Sequence, residues 1–357
     1  MREFGRWEDS VDKGSKRVTI KDIAQRCGVT ANTVSRALRG DTRISEATLK
    51  KVQQMAQEMG YIRNNLAAAM RSGRSNLISI IVDDIENPHY ATLVHKMSAF
   101  LKENGYNTMT LCTQAKSEEM VKMANLSIAN YVDGILYFPY SDDAHVVRMI
   151  QRAGIPLVLV DRAVEGADAD VARFDDYRGG VLAAEYLYEA GHRKFAYICG
   201  PETNGAQPLR RKGFTDRLAQ YGVEAGNITI INEERIYSYF QKEAFMDILR
   251  SADYTGISIF SDSIAYLVMN VLREYGYRVP EEISIIGFDY IRGFLPYLQP
   301  LTSIAGQKAG ELAKCSVSLL LRRIREPEAE FVTEILPVML PIIFMSLTSV
   351  LCQNLAL

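Results

Sequence analysis

Apolar positions recur along the chain with two different spacings. Over residues 18–62 the spacing is helical: Ile20, Ile23 and Ala24 share one face, Val34, Ala37 and Leu38 a second, and Leu49, Val52, Met55, Ala56 and Met59 a third. Cap residues bracket these runs. Thr19, Thr30 and Ser45 precede them, and Gly28, Gly40 and Gly60 close them. The pattern predicts three short helices, the first over about 20–27, the second starting after Thr30 across a tight turn, and the third starting after Ser45. From residue 75 the style changes to short apolar runs alternating with amphipathic helices. "LISIIV" (77–82) leads to a helix over 90–104, "YNTMTLC" to one over 117–130, "GILYF" to one over 142–153, and then comes "PLVLVD". The pattern restarts with a helix over 176–190, followed by "FAYICG", a helix over 207–221, "NITII", a helix over 239–251, "GISIF", a helix over 263–275, and "ISIIGFD". This alternation predicts parallel sheets covered by helices, arranged as two similar lobes. Ligands then belong in the crevice between them, outside the carboxyl ends of the strands. Residues 1–17 lack periodicity and read as a disordered extension.

Charge sharpens the division. The formal net charge is only −2, but residues 16–74 hold twelve Lys/Arg against four Asp/Glu, whereas residues 75–357 are net acidic. A compact basic segment joined to an acidic body suits a nucleic-acid-binding module attached to something else; the plainer alternative is a cluster of solvated charges. The length of 357 residues exceeds one core, and 48% apolar with 24% charged residues is ordinary for a soluble globular protein. Five scattered cysteines form no CxxC pair, and four histidines show no metal-site spacing, so neither a disulfide framework nor structural zinc is expected. The polar, charged N-terminus has no apolar leader run, and the expectation is a cytoplasmic protein.

In a helix-turn-helix pair the second helix lies in the major groove, with its N-terminal residues on base edges. Here those residues are Ala31, Asn32 and, one turn on, Arg36. Asn can bond an adenine edge twice, Arg a guanine edge, and Ala leaves room for a thymine methyl. Thr19, Arg26, Thr33, Ser35 and Arg43, together with the cap residue Thr30, stand where phosphates would be contacted. A three-helix bundle with a solvated basic face is the alternative.

"VTIKDIAQRCGVTANTVSRALRG" (18–40) resembles the start of the lactose-repressor (LacI/GalR) family of bacterial transcriptional regulators, and the likeness continues. "ISEATLKKVQQMAQEMGYIRNN", "AGIPLVLVDR", "DDYRGG", "GHRKFAYICG", "RRKGF", "YRVPEEISIIGFD" and "LTSI" follow in the family's order, over about residues 18–338. The resemblance implies an all-α helix-turn-helix DNA-binding domain (18–62), a hinge helix (63–75), and an α/β two-lobe periplasmic-binding-protein-like domain (76–338) for effector binding and dimerisation. It also implies the function: a homodimeric regulator, most often a repressor, that binds a pseudo-palindromic double-stranded DNA operator and responds to a sugar-like effector or to a regulatory phosphoprotein. No cofactor is implied.

In the hinge the resemblance makes Met70 the minor-groove wedge, with Asn64 as helix cap and Leu66–Ala69 favouring helix; a plain Ala-rich linker helix is the alternative. Arg63 stands where the family has Pro, and Met70 where it has Leu. For the crevice the resemblance points to Asp161, Arg210, Asp262 and Asp289, with His89 and Tyr90 on the first lobe and an aromatic near Tyr237. Asp and Arg suit the neighbouring hydroxyls of a sugar, although each Asp could instead be a turn or cap residue. Ser261, Tyr290, Asn204 and Ala206 depart from the family's usual residues, which leaves the ligand open. Residues 335–357 carry no charge. Their Pro, Ser, Thr, Gln and Asn residues and the lack of a basic anchor argue against a membrane span. The atypical tail (339–357) reads as an altered reading frame, a dimer surface or an aggregation hazard. Two rivals are set aside. A solute-binding protein of a transport system would carry a leader and no basic head, and an α/β enzyme would show a nucleophile elbow, P-loop or zinc motif, none of which occurs.

Overall fold

The computed structural model describes residues 18–62, 73–114, 116–140, 144–200, 205–232, 239–251, 253–293, 295–296, 298–306 and 310–340. The N-terminal extension, most of the hinge with Asn64 and Met70, Asn204, Tyr237, and the tail from 341 onward lie outside them. The chain divides into two units, residues 1–68 and 69–357.

The first unit contains α1 (Ile20–Cys27), α2 (Ala31–Ala37) and α3 (Glu46–Glu58). Each helix starts where its cap residue predicts. Thr19 and Asp22 form a reciprocal capping box, Thr30 Oγ1 accepts from the Thr33 amide at 3.1 Å, and Ser45 Oγ from the Thr48 amide at 3.4 Å. Gly28 turns the chain between α1 and α2 with φ of 66°, a conformation that only glycine adopts without strain. The core is small: Ile23, Ala24 and Cys27 of α1 meet Val34 and Ala37 of α2 and Val52 and Ala56 of α3. A core of this size needs help, and one source is Lys51, whose Nζ donates to the Cys27 carbonyl at 3.0 Å and ties α3 to the negative end of α1.

The second unit holds two parallel sheets, as the alternation predicts. The lobe 1 sheet has the order β11-β5-β4-β3-β1-β2, formed by β1 (Leu77–Val82), β2 (Asn107–Cys112), β3 (Gly134–Tyr137), β4 (Leu157–Val160), β5 (Asp170–Phe174) and β11 (Thr333–Leu336). Its helices are α4 (Pro88–Glu103), α5 (Ser117–Ala129), α6 (Ala144–Arg152) and, returning from the far end of the chain, α11 (Glu311–Arg325). The lobe 2 sheet has the order β12-β10-β9-β8-β6-β7, with β6 (Phe195–Ile198), β7 (Ile228–Ile231), β8 (Gly256–Ile259), β9 (Ser284–Phe288), β10 (Thr302–Gly306) and β12 (Val338–Met339). It carries α7 (Asp176–Glu189), α8 (Ala206–Gln220), α9 (Tyr239–Ser251) and α10 (Asp262–Glu274). All strand pairs are parallel except β10–β12, so the carboxyl ends of the central strands lie together at one edge of each sheet.

Two features differ from the sequence pattern. The end of the two-lobe domain carries two short strands, β11 in one sheet and β12 in the other, because Pro337 has no amide to continue a ladder. The lobes are also not contiguous stretches of chain. β5, β10 and α11 were absent from the periodic reading; through them the backbone crosses between lobes after β5, after β10 and after β11. β5 offers little apolar pattern because it opens on a buried carboxylate and carries Arg173. Asp170 is completely buried, accepts from Arg323 Nε at 2.7 Å and from the Val332 amide at 2.9 Å, and so clamps α11 and the start of β11 to β5. Among the described residues no helix is long and apolar enough to cross a membrane.

Candidate DNA-reading surface and effector crevice

On the first unit, α2 presents two unlike faces. Val34 and Ala37 are buried against α1 and α3, whereas Ala31 and Asn32 are exposed on the first turn, and Thr33, Ser35 and Arg36 are half-buried along the flank. The three residues assigned to base edges therefore share the side facing away from the core. The proposed phosphate contacts have local roles as well. Thr19 and Thr30 hydroxyls cap their helices, and Arg43 forms a two-pronged pair with Asp41, Nε at 2.9 Å and Nη2 at 2.7 Å, which holds the Asp41 carboxyl far below the usual range. Asn64 and Met70 lie outside the described residues.

In the second unit the strand ends bring the other candidates together. Asp161 follows β4 and Asp289 follows β9, both with left-handed backbone, φ 71° and 97°. Aspartate tolerates this region better than most residues, but the second value is well outside it, and strain of this kind persists only where neighbours impose it. The neighbours are visible at Asp289. The Asp289 amide donates to the Ile304 carbonyl at 2.9 Å, the Tyr290 amide to Ser303 Oγ at 2.9 Å, and the Ile291 amide to Asp262 Oδ2 at 2.9 Å. Asp262 is fully buried at the first position of α10 and braces this turn from beneath. Its other oxygen, Oδ1, is buried and has no hydrogen-bond partner among the described residues.

Arg210, on the first turns of α8, is the centre of the site. Its Nε donates to Asp176 Oδ1 at 2.8 Å and its Nη1 to the Phe260 carbonyl at 2.7 Å; Nη1 lies 3.7 Å from Asp289 Oδ1. The guanidinium stacks on Phe288 at 3.5 Å and Phe260 at 4.7 Å. Such proximity depends on glycine. α7 and α8 cross so closely that a Cβ on Gly180 would overlap the Arg210 carbonyl, and one on Gly213 the Tyr177 carbonyl. Opposite, the first turn of α4, with Asn87 as cap and Pro88 at its first position, delivers His89 and Tyr90. His89 Nδ1 lies 3.9 Å from Asp289 Oδ1, from one lobe to the other, and Tyr90 sits edge-on to Phe138.

The electrostatics follow from burial. Burial opposes the charge of Arg210, but Asp176, Asp289 and Asp161 more than offset it and raise the group further. Burial lifts the Asp176 carboxyl to about 6 although Arg210 pulls it down, so the pair is ionised at neutral pH. Burial also raises Asp289, against the pull of His89 and Arg210, and raises Asp262 well above the ordinary carboxylate range. Tyr90 is raised by burial and then by Asp83, Asp161 and Asp289. Asp161, Arg210, Asp289, His89 and Tyr90 thus occupy one crevice. Three of its members escaped the sequence reading: Asp83 after β1, Asp176 at the start of α7, and Arg162, whose Nη1 donates to the Tyr140 carbonyl at 3.2 Å. The available signal was the doubled acid at a strand end, "VDD" and "FDD". No group of three or more His, Cys, Asp or Glu among the described residues is placed to hold a metal ion.

Comparison with known proteins agrees with this arrangement. A family model described as bacterial regulatory proteins, lacI family, matches residues 19–64, and one described as a periplasmic binding protein domain matches residues 78–327. The HTH-type transcriptional regulator DegA of Bacillus subtilis (strain 168) is 30% identical over 292 residues, covering 81% of this chain and 86% of its own. Among solved structures, the lac repressor dimer bound to operator and an anti-inducer has the same fold, with a TM-score of 0.76 at 23% identity over 91% of this chain and 98% of its own. A LacI-family regulator from Enterococcus faecalis V583 with bound ribose gives a TM-score of 0.63 at 29% identity, over 74% of this chain and 96% of its own. With both family models matched in order, and a relative of this identity aligned over most of both chains, the protein belongs to the LacI family of bacterial transcriptional regulators.

Proposed function

We propose that the protein is a cytoplasmic repressor that binds a pseudo-palindromic operator as a homodimer and changes its operator affinity when a small polyhydroxylated effector enters the crevice. The observation that carries the DNA half of this reading is the two-faced α2, with Ala31, Asn32 and Arg36 turned away from a core that fixes the helix. The basic charge of residues 16–74 supplies the non-specific attraction to phosphates. Asn64 and Met70 would add a hinge helix and a wedge in the minor groove. The effector half rests on Asp161 and Asp289 at strand ends and on Arg210, on the first turns of α8, beside Asp289, and the ribose-bound relative supports a sugar-like ligand. An effector acts only through differential affinity for two lobe arrangements.

The test is operator selection from genomic fragments, followed by titration. Arg36→Ala should weaken binding to the selected site by about 1–3 kcal/mol and relax one operator position, with random DNA little affected. Equal losses on selected and random DNA would remove the base-reading role.

A further inference from the structure

We propose that Gln207 is a specificity-determining residue of the effector site, and that its amide and the His89 imidazole are joined through the hydroxyls of one neutral, unphosphorylated effector. The inference rests on the crevice being the effector site and deepens that reading to a ligand class.

Two polar side chains at the crevice are buried and unanswered, one on each lobe. Gln207 is 3% exposed, and its Oε1 is buried with no hydrogen-bond partner among the described residues. His89 is 8% exposed, and the same holds for its Nε2. Its Nδ1, 3.9 Å from Asp289 Oδ1, is beyond hydrogen-bond reach. Asp289 brings the two groups near one another. His89 Nδ1 and Arg210 Nη1 both lie within 4 Å of its Oδ1, and Gln207 stands three positions before Arg210 on α8, on the same helix face. The first turn of α8 also abuts lobe 1, since a Cβ on Gly205 would stand 2.9 Å from Arg162 Nε. Contacts between the lobes therefore cover this region, and an effector reaches it as the lobes part. The neighbours are engaged. Arg210 gives Nε to Asp176 and Nη1 to the Phe260 carbonyl. Asp262 Oδ1 is likewise unpartnered, but it packs against Gly287, where an added Cβ would overlap it, and the sister oxygen holds the Ile291 amide.

A buried amide oxygen or imidazole nitrogen left unpaired costs stability, and a partner that arrives recovers it. The chemistry of that partner follows from what the two atoms can exchange. Gln207 Oε1 only accepts, so the effector must donate to it. His89 Nε2 donates in one tautomer and accepts in the other. A hydroxyl does both, and so serves both atoms whichever tautomer His89 holds. The oxygens of an ionised phosphate or carboxylate only accept. Placed here, they leave Gln207 Oε1 unpaired and find Arg210 Nε and Nη1 already bonded, which selects against them. A neutral polyol with hydroxyls toward each lobe meets both needs.

The experiment is a thermal-shift screen of the full chain with three matched series: neutral pentoses and hexoses, their phosphate esters, and their sugar acids. Calorimetry on the strongest stabiliser and its matched partners follows. The neutral sugar should bind at least about tenfold tighter than its phosphate ester or its acid. Gln207→Leu takes an unpaired amide out of a buried place, so the sugar-free variant should melt at or above the parent. Its affinity for the neutral sugar should nevertheless fall at least about tenfold, and His89→Phe should lower that affinity by a similar factor. A merely structural role for Gln207 would not give these opposite signs. A phosphate ester or acid binding as tightly as the neutral sugar would overturn the inference and leave the crevice as an effector site. So would a Gln207→Leu variant that binds the sugar as the parent does. A sugar-free variant melting well below the parent would show that the amide already has partners in the folded protein, and would overturn its assigned role. No stabilisation by any series would overturn the sugar-like effector reading itself, and the inference with it.

Discussion

Asp83 is the residue whose chemistry is most sensitive to its surroundings. Burial first, then the neighbouring Asp161 and Asp84, raise its carboxyl from the ordinary 3.8 to about 6, while backbone amides pull it down. The folded state therefore holds this proton more tightly than the unfolded chain does. Stability from this group is fully present below about pH 4 and is lost as pH rises through about 6. At neutral pH the ionised group costs stability, about 1 kcal/mol once its partial exposure to solvent is allowed for. Asp83→Asn removes the charge at no change in shape. The variant should melt above the parent at pH 7.5, with the difference shrinking toward zero at pH 4.5. A difference that stays constant across this range, or that reverses sign, would show that Asp83 is not held in the dry, acidic surroundings described here.

At the scale of elements, the crossing of α7 and α8 decides where Arg210 sits. In an open helix Gly→Ala gains about 0.5–1 kcal/mol. At Gly180 the added Cβ meets the Arg210 carbonyl, a backbone atom that cannot swing aside. Gly180→Ala should therefore lower stability by about 1–3 kcal/mol, measured by urea unfolding; a gain would show that the helices can part without penalty. Much at this scale was legible beforehand. The caps Thr19, Thr30 and Ser45 fixed the starts of α1, α2 and α3, because a side-chain oxygen at a helix start acts within four residues. The candidates Asp161, Arg210, Asp289, His89 and Tyr90 meet because the motif carrying each stands at a strand end or on the first turns of a helix. What escaped depended on partners distant in sequence. Asp170 stands buried at the first position of β5, and the partners that explain it, Arg323 and the Val332 amide, lie far along the chain. Asp176 reads as a helix-start acid until α8 brings Arg210 to it. α11 was not among the helices the pattern predicted, although Leu312, Ala313, Val317 and Leu320 stand at helical spacing, and nothing local says that the chain returns to lobe 1.

For the whole molecule, that return ties the two lobes together more than once. Three backbone crossings join the lobes, and the apolar core runs on through them from Ile78 and Val82 of lobe 1 to Phe195, Phe288 and Val338 of lobe 2. The approach of His89 to Asp289 is made from one lobe to the other, so a ligand that engages Asp289 must also act on how the lobes meet. If this sets the operator affinity, the coupling is a single free energy seen from two ends, typically about 1–3 kcal/mol. An effector that weakens operator binding must be bound more weakly, by the same factor, when operator is present. Both factors can be measured, by fluorescence anisotropy of labelled operator with and without saturating effector, and by calorimetry of effector with and without operator. Asp289→Ala should leave operator affinity within about twofold and abolish the effector response. A preserved response would take Asp289 out of the effector site. Unequal factors for the unaltered protein would mean that effector and operator are not linked through one conformational equilibrium of the bound species.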